Sequence, residues 1–143
     1  MLLLSAGLMS LAASLLHLAT ILGGPAWYRF FGAGEAIARA AERGSIAPAL
    51  LTCGIAAVLA IWAAYAFSGA GMIVRLPFLR TALVAISLIL LGRGLLILAP
   101  DLWRPDLSPA FKLWSSAIVL AMGACFAAGS WLAWASLARQ GLR

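Results

Sequence analysis

Charge is the scarcest property of this chain. Only 10% of its 143 residues are Asp, Glu, Lys or Arg, where a soluble domain carries roughly 25%. That leaves too little polar surface to cover a water-facing core, which excludes the soluble enzyme, the disordered tail and the small disulfide scaffold. The sequence has one histidine and two cysteines, Cys53 and Cys125, with no C-x-x-C pair. A zinc site draws on three or four Cys, His or carboxylate ligands, so neither a metal nor any other cofactor is expected. Asp and Glu number four, and none lies inside an apolar run. A proton-coupled cation exporter relies on an intramembrane carboxylate, so that activity loses its central group. The net charge of +6 would suggest nucleic acid in a soluble protein. Here the cations punctuate the ends of apolar runs, where Lys and Arg set topology and meet anionic headgroups, and no nucleic-acid partner is expected.

What the chain has is hydrocarbon: 65% of its residues are hydrophobic and the mean hydropathy is +1.08. A membrane-spanning helix needs about 20 apolar residues, and four such runs occupy residues 2–22, 46–67, 78–99 and 110–137. Gly23-Gly24-Pro25 is expected to end the first, Ser68-Gly69-Ala70-Gly71 the second and Pro100 the third, while Pro109 opens the fourth. The first run lacks a basic n-region and exceeds the usual apolar stretch of about 7–15 residues in a signal peptide, so it reads as a retained helix. Within lipid only helices and closed barrels satisfy the backbone, and these runs have no alternation of period two. The expected fold is all-α: a polytopic membrane protein, an antiparallel bundle of four transmembrane helices in one domain. Its location would be the cell membrane, in the inner membrane of a bacterium.

The connection between the first two spans carries a further element. Residues 34–43 read as a short interfacial helix, with Glu35, Arg39 and Arg43 spaced i, i+4 along one face. Glu lies in its first turn and Arg in its last, complementing the helix dipole. The segment before it, rich in Trp27, Tyr28, Phe30 and Phe31 with the single cation Arg29, suits the headgroup layer. Trp27, Tyr28, Arg29, Glu35 and Arg39 are accordingly a candidate lid or interface. Ala117, Ala121, Ala124 and Ala128, and likewise Cys53, Ala57, Ala60 and Ala64, form small-residue stripes. These are expected to close the bundle internally, or else to form a homo-oligomer face.

Depth along each helix, at about 1.5 Å per residue, gives the most informative pattern. Counted from the side that holds the first and third connections, His17, Thr52, Cys53, Arg93, Ser115 and Ser116 all fall roughly 8–10 Å inside the boundary. All four acidic residues, Glu35, Glu42, Asp101 and Asp106, belong to that side. The opposite pole carries Arg75, Arg80, Arg139 and Arg143 and no carboxylate. We call these the mixed and the basic pole. Arg93 could snorkel to the interface or bind an anionic headgroup, since guanidinium meets carboxylate or phosphate bidentately. His17, the serines and Cys53 have ordinary readings as packing or self-bonded residues, and Trp27, Tyr28, Trp103, Trp114, Trp131 and Trp134 read as interfacial anchors. Taken together, His17, Thr52, Cys53, Arg93, Ser115 and Ser116 form a candidate ligand-binding layer. The expected function is a lipid- or amphiphile-binding membrane module with membrane lipids as partners; catalysis is not expected. The alternatives are an oligomeric small-molecule transporter or channel, and an accessory subunit of a larger membrane complex. Both termini are assigned to the cytoplasm, on the acid-free pole.

Overall fold

The computed structural model describes residues 1–99 and 107–139, and all regular structure among them is helical. The elements are α1 (Leu2–Phe30), α2 (Glu35–Glu42), α3 (Ala47–Gly69), α4 (Leu79–Leu95, continued by a 3-10 turn over Leu96–Leu98) and α5 (Pro109–Arg139). Four of these segments, α1, α3, α4 with its 3-10 turn, and α5, are long and apolar enough to cross a membrane. The chain is thus an all-α bundle of four candidate spans with one short helix, α2, between the first two. Asp101, Trp103, Arg104, Asp106 and Arg143 lie outside the described residues, so the placements expected for them have no counterpart below.

The first span departs from expectation. Gly23-Gly24-Pro25 does not end the helix but bends it, and helical structure resumes through Phe30. Gly24 sits at φ 64°, ψ −152°, a region open essentially to glycine alone. Pro25 then takes the first position of the new segment, where its fixed φ and missing N–H cost nothing. The short segment closes on Gly32, φ 71°, with the Ala33 N–H donating to Tyr28 O at 2.9 Å, a helix stop that needs the left-handed conformation. The aromatic stretch expected in the headgroup layer beyond the end of the first span is therefore a bent helical extension of α1.

The helices associate as two pairs. α1 packs along α3 and α4 along α5; α1 also meets α5, and α3 meets α4 more briefly. Glycine permits the close crossings. A Cβ on Gly123 would lie 3.0 Å from the Leu91 backbone nitrogen, and one on Gly129 would lie 3.0 Å from that of Leu3. Ser14 Oγ donates to Ala56 O at 2.8 Å, tying α1 to α3, and Ser10 Oγ reaches Met122 Sδ at 3.5 Å on α5. The alanine stripes play no part inside the bundle: Ala117, Ala121, Ala124 and Ala128 are all exposed, as are Cys53, Ala57 and Ala60. The alanines that are buried belong to other faces, Ala6 on α1 and Ala56, Ala63 and Ala66 on α3, and they share the interior with glycine at the crossings and with bulkier side chains.

That bulk lies at one end. The buried core comprises Leu3 and Ala6 of α1, Ala66 of α3, Leu79, Leu83, Ile86 and Leu90 of α4, and Met122, Phe126 and Leu137 of α5. Most of them occupy the half of the bundle nearer the basic pole, with Leu90 and Met122 close to mid-span, where they also meet the cavity described below. Polar ties reinforce that end. Ser68 Oγ donates to Val74 O and accepts from the Leu76 N–H, each at 3.0 Å, and the Tyr65 hydroxyl donates to Pro77 O at 3.2 Å. Arg80 lies 3.8 Å above the Trp134 ring, a cation–π contact at the depth where aromatic belts form.

Candidate functional site

Toward the mixed pole the two helix pairs separate, and the space between them is a cavity of about 1360 Å³. All four spans contribute walls. Met9, Ala13, Leu16 and His17 come from α1; Leu50, Gly54, Val58 and Trp62 from α3; Ile89, Leu90 and Arg93 from α4; Phe111, Trp114, Ser115, Ile118 and Met122 from α5. Leu50 and Trp62 are twelve residues apart, so the wall runs about 18 Å along α3 at 1.5 Å per residue. The hydrocarbon core is about 30 Å thick, and the cavity thus reaches past the midplane. Its floor, where Met9, Trp62 and Met122 meet, is apolar; its polar side chains gather at the mouth.

The polar layer expected from depth alone divides when azimuth is added. His17, Arg93 and Ser115 line the cavity. Thr52 is buried, with its hydroxyl donating back to Pro48 O at 2.8 Å. Cys53, one residue on, is exposed, and the sulfurs of Cys53 and Cys125 are both free. Ser116 is buried at 1% exposure without lining the cavity, while Ser115 Oγ donates to Lys112 O at 3.3 Å. His17 Nδ1 lies 2.8 Å from Ala13 O. A carbonyl can only accept, so Nδ1 holds the proton there and the other ring nitrogen, Nε2, is not committed to the helix.

The mouth is built by the bend at Gly24. Beyond it, Arg29, Phe30 and Phe31 form part of the cavity wall, and a Cβ on Gly32 would press into the Phe111 ring at 2.4 Å, so this connection rests directly on the start of α5. Phe30 and Phe31 stack edge to face at 5.0 Å, and Trp27 contacts Phe31 at 5.7 Å. Of the residues expected as a lid, only Arg29 lines the cavity. Trp27 is exposed, Tyr28 is buried away from it, and Glu35 and Arg39 stand on α2. α2 packs against α1 and α3 beside the mouth rather than over it.

Arg29 joins these parts. Its Nε and Nη2 donate to the two oxygens of Glu35 at 2.8 and 3.0 Å, and the same Nη2 pairs with Glu42 at 2.8 Å. Arg39 adds a second guanidinium to Glu35 at 2.9 Å. Hydrogen bonds from Arg29 and then Arg39 hold the Glu35 carboxyl down to about 2, well below the usual carboxylate range. Bidentate arginine–carboxylate geometry fixes orientation as well as charge, so α2 is clamped to the segment that forms the mouth. Both acids on the described part of this pole are thereby engaged by Arg29 and Arg39, and neither lines the cavity. The only charged side chains among the described residues that line the cavity are Arg29 and Arg93, both cationic.

Depth along a helix could be counted from the sequence. The apolar members, Met9, Trp62, Phe111 and Met122, could not be singled out, because nothing distinguishes them from lipid-facing neighbours of the same kind. Among the described residues, no group of His, Cys, Asp and Glu could hold a metal ion. Compared with family models, curated proteins and solved structures, the chain matches none.

Proposed function

We propose that this protein is a membrane module that binds a lipid or similar amphiphile between its two helix pairs. The observation that carries the reading is the cavity itself: about 1360 Å³ of largely apolar space with His17, Arg93 and Ser115 at one end. Small-molecule sites typically measure about 300–1,000 Å³, with a few convergent polar groups in an apolar wall. This one is larger, matches an amphiphile in polarity from end to end, and replaces the core that the mixed-pole half of the bundle otherwise lacks.

Native mass spectrometry from mild detergent tests the reading. The wild-type chain is expected to retain bound lipid. Gly54 lines the cavity and a Cβ there meets nothing within 4 Å, so Gly54→Leu starts from open space, narrows the cavity, and should weaken lipid retention while leaving the protein folded. Retention unchanged in Gly54→Leu would refute it.

A second reading, a homo-oligomer or an accessory subunit of a larger assembly, is favoured by the two outward stripes of small residues on α3 and α5, which suit close contact with another membrane helix. The same spectra report it as mass. For orientation we propose cytoplasmic termini in a bacterial inner membrane, supported by the basic pole with Arg75, Arg80, Arg139 and Arg143 and no acid. Labelling of cysteines placed in the 70–78 loop from the outside alone would reverse that orientation.

A further inference from the structure

The polar side chains of the cavity carry information on which amphiphile it accepts, and this inference rests on the binding function proposed above. We infer that the ligand is an uncharged phenol or hydroquinone with a long alkyl or prenyl chain. Its hydroxyl donates to His17 Nε2, its ring lies among the aromatic side chains of the mouth, and its chain runs along α3 toward Trp62.

Both guanidiniums of the lining are already engaged within the protein, Arg29 by Glu35 and Glu42 and Arg93 by a contact of its own. An anionic head would have to displace those partners. An ammonium head would enter a wall with two cations and, among the described residues, no carboxylate. A head without net charge disturbs neither arrangement, and the group that can meet it is His17. A neutral imidazole has one donor and one acceptor. The donor, Nδ1–H, is taken by Ala13 O at 2.8 Å, so Nε2 is the acceptor, and no described residue donates to it. The Ser115 hydroxyl donates to Lys112 O and likewise keeps lone pairs. The other hydroxyl of the lining, Ser108, is exposed at the rim, with its oxygen capping the Phe111 N–H. An acceptor without a donor loses hydrogen-bond energy where water is scarce, so His17 favours a ligand that brings an O–H over one that brings only another acceptor.

Aromatic rings frame the same end. Phe30, Phe31, Phe111 and Trp114 all line the cavity, and rings pack edge to face or offset with an attraction beyond the area they bury. A phenolic hydroxyl, ionising at about pH 10, is also a stronger donor than an alkanol. Below the head the wall continues for about 18 Å along α3 to the apolar floor at Met9, Trp62 and Met122, which suits a chain. Access follows from the splay of the helix pairs. Leu16, Leu50, Ile89 and Ile118 line the cavity and are also exposed at its rim, so an amphiphile already in the leaflet reaches the site without crossing water.

A ligand series that changes one feature at a time tests this: para-decylphenol; para-decylanisole, whose oxygen carries methyl in place of the proton; dodecanol, which lacks the ring; and phosphatidylglycerol, which has a negative head. Each is titrated by calorimetry into the full chain in maltoside micelles. The phenol should bind about fivefold more tightly than the anisole, the gain of a typical neutral hydrogen bond. It should also bind about fivefold more tightly than dodecanol, the gain of an aromatic contact, and more tightly than phosphatidylglycerol. His17→Asn, whose side chain ends short of the Nε2 position, should erase the preference for phenol over anisole, and His17→Gln, which carries an amide oxygen farther out, should retain part of it. An anisole that binds as tightly as the phenol, or a preference unchanged in both His17 variants, overturns the inference. So does dodecanol at the affinity of the phenol, or phosphatidylglycerol as the tightest ligand. Should His17→Asn fail to fold, the Gln variant and the ligand series decide alone. In each of these cases the binding function still stands if native spectra show lipid that Gly54→Leu weakens; no retained lipid and no binding of any of the four ligands fails that function itself.

Discussion

Two glycines allow a test in which only the backbone differs. Gly24 and Gly92 both have open space where a Cβ would stand, with nothing within 4 Å. Gly24 is held at φ 64°, ψ −152°, and Gly92 lies within helix α4. Alanine at Gly24 meets no steric neighbour but is forced into a region that costs about 1–3 kcal/mol for a residue with a side chain. Alanine at Gly92 gains up to about 1 kcal/mol of helix propensity. The two substitutions are chemically identical and should act with opposite sign. At about 1.4 kcal/mol per tenfold, Gly24→Ala should lower the folded-to-unfolded ratio by roughly 5- to 150-fold, and Gly92→Ala should raise it by up to about fivefold. Reversible unfolding in mixed micelles, titrated with a denaturing detergent and followed by far-ultraviolet circular dichroism, measures both. Because the bend at Gly24 aims Arg29, Phe30 and Phe31 into the cavity wall, Gly24→Ala should also weaken lipid retention in native mass spectra, and Gly92→Ala should not. Equal stability of wild type and Gly24→Ala would refute the bend as a fixed feature. A destabilising Gly92→Ala would refute the assignment of the cost to backbone conformation.

Further outcomes follow from the packing and the ion pairs. Gly123→Ala brings a methyl group to 3.0 Å from the Leu91 nitrogen and 3.1 Å from Leu90 Cβ, and should destabilise by about 1–3 kcal/mol through overpacking in the same micelle titration. Ser14→Ala removes the 2.8 Å bond to Ala56 O and should cost about 0.6 kcal/mol, the mean for such bonds between membrane helices; a cost beyond about 2 kcal/mol would mean that Ser14 does more than make one bond. Glu35 titrates at about 2 in the folded protein, below its ordinary value of 4.5. A lowered carboxylate stabilises above the unfolded value and loses that contribution as pH falls through the folded one. A spin label at exposed Ala36 should therefore stay immobile down to about pH 4.5 and loosen between there and about pH 2, and Glu35→Gln should loosen it at neutral pH. Mobility independent of pH would detach α2 from this network.

The spans, their lengths and the depth of each polar residue were legible because run length and rise per residue are fixed by the bilayer and the helix. The rotation of each helix about its axis was not. Thr52 and Cys53 have nearly equal depth, yet consecutive helical positions point about 100° apart, so one is buried and the other faces outward. In a soluble bundle an apolar stripe would settle that rotation. Here α1, α3, α4 and α5 are apolar on every side, and leucine suits lipid as well as core. The alanine stripes misled for the same reason. The two serines of α1 that face inward, Ser10 and Ser14, are four residues apart, a spacing whose partners on α3 and α5 only the assembled bundle reveals. Gly24-Pro25 was legible as a break, but a proline that interrupts one helix is equally suited to start another.

A bundle filled at one end and open at the other is mechanically a pair of tongs. The packed residues from Leu3 to Leu137 act as the pivot, and each helix pair is a stiff arm. His17 stands fourteen residues from Leu3, about 21 Å along the arm at 1.5 Å per residue. A rotation of about 5° at the pivot, within what packed helices absorb by small sliding, moves the tip by about 1.8 Å over that 21 Å, roughly the radius of a methylene group. A site of the kind proposed above would thereby fit chains of different girth while hardly disturbing a core contact, with the seat of Gly32 on Phe111 bridging the open ends of the two arms.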